Sequence, residues 1–130
     1  MAKTILIADD NDALRHALSE ALKRESDFEV CGEARDGQDA IDKAQRLHPD
    51  LVIMDLSMPV MNGLDSSRAL KKLMPSVPII LFTLNVYPFL ELEAQSAGIA
   101  AVVSKSAGMS GLMPSARGLM YRSAAGSTAA

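Results

Sequence analysis

The sequence predicts a doubly wound α/β fold, in which a parallel β-sheet carries helices on both faces. Three short apolar runs, at residues 4–8, 51–54 and 77–84, lead to this prediction. They lack polar alternation, as is typical of strands that are covered on both faces. Helical periodicities separate them, and an alternation of strands and helices favours parallel βαβ units.

Two further strands bring the predicted number to five. Residues 28–34 alternate between apolar and polar side chains, which predicts a more exposed strand. Residues 100–103 form a short apolar run late in the chain. We therefore expect a five-stranded sheet.

Three helices are predicted from apolar side chains that recur at helical spacing. The first spans residues 12–25 after a capping Asn11, the second ends before Pro49, and the third ends at Pro75. The positions that mark these helices are Leu14, Ala17, Leu18, Ala21 and Leu22, then Ala40, Ile41, Ala44 and Leu47, then Leu64, Leu70 and Leu73.

The last two helices are less regular. Pro88 can open the fourth, with Phe89, Leu92 and Ala97 as its apolar positions and Gly98 as its stop. For Tyr87, Phe89 and Leu90 we expect core packing rather than a partner surface. A poor fifth helix is expected after residue 105, because glycines and one proline lower its helix propensity: Gly108, Gly111, Pro114 and Gly118.

Composition limits the class of protein. The chain has 130 residues, so we expect one domain over 1–122 followed by a disordered tail at 123–130. A net charge of −3 gives no basic field for direct binding to nucleic acid or an anionic membrane. The single Cys31 fits a reducing compartment, and no apolar run is long enough to span a membrane. We therefore expect a cytoplasmic protein.

Polar side chains follow the predicted strands at their carboxyl ends. Asp9 and Asp10 end the first strand, Asp55 ends the third, Thr83 nearly ends the fourth, and Lys105 follows the fifth. In doubly wound sheets, ligands bind beyond the carboxyl ends of the strands. These five side chains are therefore expected to face the same edge of the sheet.

Three neighbouring carboxylates indicate a divalent cation, because they repel one another and raise one another's pKa values. A site with oxygen ligands alone suits Mg²⁺. Zinc is not expected, because His16 and His48 belong to helices. A carboxylate can also attack phosphorus as a nucleophile, assisted by an ammonium group and a hydroxyl. Lys105 and Thr83 could supply these groups, although each alone is an ordinary residue for its position.

Four segments together resemble the receiver domain of the bacterial two-component response-regulator family: ILIADDNDALR, LVIMDLSMPVMNGL, IILFTLN and AVVSKSA. The resemblance covers the chain to about residue 120. It implies a flavodoxin-like fold with strand order 2-1-3-4-5. The SKSA segment resembles the branch that drives helix-turn-helix transcription regulators.

The resemblance also assigns roles to single residues. Asp55 matches the phosphoacceptor, Asp10 the direct metal ligand, and Asp9 the acidic neighbour that reaches the metal through water. Ser57 matches the position whose backbone carbonyl completes the Mg²⁺ site. The family's switch hydroxyl and its lysine correspond to Thr83 and Lys105.

The resemblance implies a signalling switch rather than an enzyme with a separate substrate. A sensor histidine kinase or phosphotransfer protein would supply the phosphoryl group, and the domain would catalyse only its own phosphotransfer and slow autodephosphorylation. A homodimer is one further partner that the family suggests. The chain could act alone or belong to a longer regulator.

Three departures from the family pattern are visible. Val102 stands where most members have Tyr or Phe, Ser106 replaces the usual Pro after the lysine, and Pro114 lies in the fifth helix. Val102 motivates an alternative: a receiver-like interaction module regulated without phosphorylation. An aspartate-nucleophile phosphohydrolase and a flavin-binding protein fit less well. The first would need more chain to hold a substrate, and the second a phosphate-binding loop where this sequence has acids.

Overall fold

The computed structural model describes the backbone of residues 2–129 and the side chains of residues 2–121. Strands and helices alternate along these residues. In chain order the elements are β1 (Lys3–Ala8), α1 (Asp12–Lys23), β2 (Phe28–Ala34), α2 (Gly37–Leu47), β3 (Leu51–Met54), α3 (Gly63–Leu73), β4 (Ile79–Thr83), α4 (Leu90–Ser96), β5 (Ala101–Ser104), a 3-10 turn at Lys105–Ala107, and α5 (Gly108–Ala129).

The strands form one parallel sheet in the order β2-β1-β3-β4-β5. Every neighbouring pair is parallel, and β1 and β3 lie side by side near the centre. This confirms the predicted fold class and strand order. No helix among the described residues is long and apolar enough to cross a bilayer.

Side-chain alternation along the strands creates one apolar core on each face of the sheet. Ile5 packs with Leu22 of α1 and Leu112 of α5. Its neighbour Leu6 points the other way and packs with Leu70 of α3 in the core beneath α2, α3 and α4. Both strand residues are fully buried, and each burial stabilises the fold by about 1.5–3 kcal/mol. The continuous apolar runs in the sequence follow from this two-sided burial.

The first three helices begin at side-chain caps. Asn11, Asp36 and Asn62 each accept a hydrogen bond from a backbone N–H in the first turn of α1, α2 and α3. Such a cap contributes about 1 kcal/mol. All three caps lie at the carboxyl edge of the sheet, because each of these helices follows a strand. The capping residues thus help to order the loops around that edge.

The fourth helix presents a different face from the one that the sequence predicted. Leu90, Ala94 and Ala97 are buried, whereas Phe89 and Leu92 are 68% and 62% exposed. Residues 90, 94 and 97 follow the spacing of one helical face. Ala97 was predicted on this face, whereas the prediction for Phe89 and Leu92 was wrong and Ala94 was not predicted. Core packing was therefore the right expectation for Leu90 and the wrong one for Phe89.

Several boundaries differ from the prediction. β1 begins at Lys3 rather than at residue 4, α3 ends at Leu73 rather than at Pro75, α4 begins at Leu90 rather than at Pro88, and β5 occupies Ala101–Ser104 rather than 100–103. β4 occupies Ile79–Thr83 rather than 77–84, and proline at position 78 has no N–H to donate to a neighbouring strand. α1 ends at Lys23 rather than at residue 25, and its C-cap Arg24 donates its N–H to the carbonyls of Ala21 and Leu22.

The fifth helix, expected to be poor, is continuous through Pro114. Leu112, Met113 and Ala116 are buried on its inner face, and this packing supports a helix of low intrinsic propensity. Pro114 itself is exposed. The tail predicted at 123–130 lies beyond the residues whose side chains the structure describes and stays a prediction.

Candidate functional site

The side chains predicted to meet at the carboxyl edge do meet there. Asp9 follows β1, Asp55 follows β3, Thr83 ends β4, and Lys105 follows β5. Together with Asp10 and Ser57 they line one small pocket of about 240 Å³. The strand order explains this convergence, because it sets β1, β3 and β4 next to one another with their carboxyl ends at the same edge.

The acidic side chains form a compact oxygen cluster. One carboxylate oxygen from each of Asp9, Asp10 and Asp55 lies within 4.8 Å of the other two. Asp9 and Asp55 are buried, whereas Asp10 is exposed at the mouth of the pocket. An all-oxygen donor set with one side open to solvent fits Mg²⁺, which keeps several of its waters.

Lys105 is the cation that faces this cluster. Its Nζ lies 2.6 Å from Asp9 Oδ2 and 3.4 Å from Asp55 Oδ2, and its side chain is only 12% exposed. One ammonium group thus faces three carboxylates. This excess of acidic groups is what a divalent cation would balance.

The negative charge of the Asp55 carboxylate is only partly compensated by its surroundings. Burial raises its pKa above the usual value, and the neighbouring Asp9 carboxylate raises it further. Lys105 and the backbone N–H of Leu56, which donates to Asp55 Oδ1 at 2.9 Å, act in the opposite direction. A carboxylate whose charge is poorly compensated is a candidate for binding a cation or for nucleophilic chemistry.

Asn85, which was not predicted from the sequence, forms a polar bridge at the edge of the pocket. The side-chain N–H of Asn85 donates to Ser57 Oγ at 3.2 Å, and its backbone N–H donates to Thr83 Oγ1 at 3.2 Å. Asn85 thereby links the loops that follow β3 and β4. Its position two residues beyond a strand end was the signal that could have identified it.

The loop after β3 is unusually constrained. A side chain at Gly63 would clash with the backbone carbonyl of Asp55, so only glycine allows this close approach. Val60, in the same loop, has φ 67° and is 82% exposed. A β-branched residue in the left-handed region is strained, and such strain is concentrated at functional sites.

Beyond the pocket, Val102 is half-buried and packs against the core beneath α2, α3 and α4. Tyr87 and Phe89 are exposed on the loop before α4, and Tyr87 donates its hydroxyl hydrogen to Glu93 at 2.9 Å. Core packing, expected for Tyr87 as for Phe89, was therefore wrong.

Comparison with known proteins gives a consistent result. The family model of the response regulator receiver domain matches residues 5–117. Response regulator protein VraR of Staphylococcus saprophyticus is 32% identical over 113 residues, which are 87% of this chain and 54% of VraR. Transcriptional regulatory protein LnrK of Bacillus subtilis is 36% identical over 101 residues, which are 78% of this chain and 46% of LnrK. The chain spans about half the length of these relatives.

Solved structures agree with the family match. A LuxR-family two-component response regulator from Aurantimonas superposes with a TM-score of 0.88 at 25% identity, over 92% of this chain and 86% of that one. The sheet order and the family match thus point the same way, and the chain belongs to the response regulator receiver domain family of two-component systems.

Proposed function

We propose that this domain is a phosphorylation-dependent switch that accepts a phosphoryl group on Asp55. The donor is the phosphohistidine of a sensor histidine kinase or phosphotransfer protein. One observation carries the proposal: the carboxylates of Asp9, Asp10 and Asp55 cluster within 4.8 Å, with Lys105 against two of them. A structural ion pair would need neither a third carboxylate nor an open pocket.

The proposed transfer exchanges one bond to phosphorus for another. A carboxylate oxygen of Asp55 attacks phosphorus, the bond to the imidazole nitrogen breaks, and an acyl phosphate forms. The released imidazole nitrogen keeps the electron pair and takes up a proton from solvent. Lys105, whose Nζ is 3.4 Å from Asp55 Oδ2, is placed to neutralise a phosphoryl oxygen.

The residues of the pocket suit a magnesium cofactor. Asp10 and Asp55 would bind Mg²⁺ directly, Asp9 would bind it through water, and the backbone carbonyl of Ser57 would complete the protein ligands. Bound Mg²⁺ supplies positive charge to the phosphoryl oxygens during transfer.

Thr83 is the proposed sensor of the phosphoryl group. Its hydroxyl lies at the end of β4, is fully buried, and accepts a hydrogen bond from the Asn85 N–H. Donation of the hydroxyl hydrogen to a phosphoryl oxygen would pull on the loop that leads to α4. Repacking around α4 and β5 would then change the surface offered to a partner or output domain.

The output is proposed from the relatives' names. LnrK is called a transcriptional regulatory protein, and the Aurantimonas structure is of a LuxR-family regulator. We place this domain in the control of transcription, in the cytoplasm, with a homodimer as one route to output. In this proposal the kinase and the output domain contact this domain directly. The domain itself does not bind nucleic acid.

Intact mass spectrometry tests the phosphoacceptor. The chain is incubated with acetyl phosphate and MgCl₂, and the gain of one phosphoryl group is expected for the wild type and for Asp42→Asn, a change on the exposed face of α2. No gain is expected for Asp55→Asn or in excess EDTA. A wild-type chain that stays unmodified at saturating donor would contradict the proposal and favour an interaction module regulated without phosphorylation.

A further inference from the structure

Arg15 makes contacts that the proposed phosphotransfer chemistry does not use. Its guanidinium lies in α1, its side chain is 12% exposed, and it bonds to three elements at once. One Nη donates to the backbone carbonyl of Asp9 at 2.8 Å, Nε donates to Glu33 Oε1 at 2.9 Å, and the other Nη lies 2.7 Å from Asp12 Oδ1. Each of the three guanidinium nitrogens therefore has a partner.

The hydrogen bond from Arg15 to the Asp9 carbonyl holds the backbone of the acidic cluster. The Asp9 carbonyl belongs to the peptide that joins Asp9 to Asp10. The six atoms of a peptide unit, from the Asp9 Cα to the Asp10 Cα, lie in one plane, so a hydrogen bond that fixes the carbonyl also restrains the position of the Asp10 Cα. The N–H of Asp9 is tied in turn to the Ala34 carbonyl at 3.0 Å. Asp9 is thus held on both sides.

Asp10 depends on this backbone restraint. Asp9 has side-chain partners in the N–H of Asn11, at 2.9 Å, and in Lys105. Within the described part of the chain, no side-chain hydrogen bond holds Asp10, which is exposed. The backbone therefore sets the position from which the Asp10 side chain enters the pocket, and Arg15 holds this backbone through the Asp9 carbonyl.

Glu33 anchors the arrangement to the sheet. It is the residue before the end of β2, and its side chain is 32% exposed. Because Arg15 bonds to a helix residue, a strand residue and the intervening turn, it fixes the start of α1 relative to the ends of β1 and β2. Bidentate or multiple guanidinium bonds give this kind of geometric definition, which a lysine cannot reproduce.

We propose that Arg15 is a positioning residue for divalent-cation binding, acting through the Asp9–Asp10 peptide. The inference rests on the proposed Mg²⁺ site and adds a residue that determines its affinity. Arg15 itself does not contact the metal. Residues that orient metal ligands in this way commonly change affinity by about 10- to 100-fold when they are removed.

The test is a Mg²⁺ titration of the full chain, followed through the backbone amide NMR signals of residues 10 and 55. Wild type, Arg15→Met, Arg15→Lys and Arg117→Met are compared, with circular dichroism confirming that each is folded. Arg117 is the matched control, because its guanidinium also bonds to two carboxylates, Glu25 and Asp27, outside the pocket. Kd is expected to rise about 10-fold for Arg15→Met, less for Arg15→Lys, and not at all for Arg117→Met.

The outcomes separate the two proposals. Wild-type protein that binds no Mg²⁺ overturns both the proposed site and this inference. Wild-type binding with an unchanged Kd in Arg15→Met overturns this inference alone, as does an equal rise in Arg117→Met, which would indicate general loosening. If Arg15→Met does not fold, Arg15→Lys decides the question: a raised Kd supports the positioning role and an unchanged Kd rejects it.

Discussion

Two arginines form ion pairs at opposite ends of β2. The contacts at the start of the strand contribute to stability, whereas those at its end lie beside the proposed functional site. Arg117 of α5 bonds to Asp27 and Glu25, just before β2 begins, and lies 5.6 Å from the ring centre of Phe28. Arg15 of α1 bonds to Glu33, just before β2 ends. The two guanidinium groups perform similar chemistry in different surroundings.

The acidic side chain Asp27, near the amino end of the sheet, is well compensated by its neighbours. The acidic side chain Asp55, at the carboxyl end of the sheet, is not. Hydrogen bonds from Arg117 lower the pKa of Asp27, so the charged carboxylate is favoured there. At the carboxyl end, burial and a like charge raise the pKa of Asp55 despite the presence of Lys105. A fold that leaves buried carboxylates poorly compensated loses stability at that point, and such a loss is typical of binding and catalytic sites.

The largest expected effect of a substitution at the carboxyl end of the sheet is on the rate of phosphotransfer. Replacing Lys105 with Met removes the ammonium group that would neutralise the phosphoryl oxygens. The rate of Asp55 phosphorylation by acetyl phosphate should fall by about 10²- to 10³-fold, the usual cost of losing one such electrostatic contact. Quenched-time intact mass spectrometry measures this rate. Equal rates in Lys105→Met and wild type would remove Lys105 from the proposed mechanism.

Strain at the carboxyl end can be relieved without touching the acidic cluster. Val60→Gly removes a β-branched side chain from a left-handed backbone and loses little packing, because Val60 is 82% exposed. Unfolding free energy should rise by about 1 kcal/mol, measured by urea denaturation. The matched Val86→Gly, on an exposed loop residue without positive φ, should destabilise the fold through greater unfolded-state entropy. A loss of stability in both variants would argue against strain at Val60.

The two ends should also give stability opposite dependences on pH in metal-free buffer. The folded-state pKa of Asp27 is lowered, so its contribution is present above its unfolded pKa, near 4, and is lost as pH falls through the folded value. The folded-state pKa of Asp55 is raised, so its carboxyl group favours the fold below its unfolded pKa and costs stability as pH rises through the folded value.

Urea denaturation in EDTA across acidic pH measures both dependences. Asp27→Asn should flatten the loss of stability on the acid side of pH 4, and Asp55→Asn should flatten the decline above about pH 4. If Asp55→Asn leaves the decline unchanged, the carboxylate of Asp55 is not the group that opposes folding.

The smallest effect is expected at Arg117, whose ion pairs near the start of β2 are partly exposed. Arg117→Met breaks contacts to Asp27 and Glu25 that are partly exposed to solvent, where ion pairs contribute little. The melting temperature should fall slightly while the phosphorylation rate stays at the wild-type value. A large fall in that rate would show that the two ends of β2 are coupled.

The sequence predicted the parts of this molecule that follow from local pattern. Two-sided burial makes a strand such as residues 51–54 continuously apolar, and its bounds were predicted correctly. The rule that ligands bind beyond the carboxyl ends of parallel strands brought Asp9, Asp55 and Lys105 together, and they line one pocket.

The remaining features depend on tertiary geometry that no local pattern encodes. The buried face of α4 carries Leu90, Ala94 and Ala97, whereas Phe89, the N-cap of that helix, is exposed. Arg15 and Asn85 were missed, because Glu33 and Ser57, with which their side chains bond, are distant in sequence and become neighbours only in the folded chain. The positive φ of Val60 likewise belongs to a tight turn, in which the Met61 N–H donates to the Pro59 carbonyl at 2.7 Å.

The central claim is that three carboxylates form one divalent-cation site. Anomalous diffraction from a crystal of the wild-type chain grown with Mn²⁺, a hard cation that takes the same oxygen ligands as Mg²⁺, tests this most directly. We expect a single strong peak between Asp9, Asp10 and Asp55, which is absent from crystals of Asp55→Asn grown in the same way. A metal peak elsewhere, with these carboxylates bound only to Lys105, would contradict it.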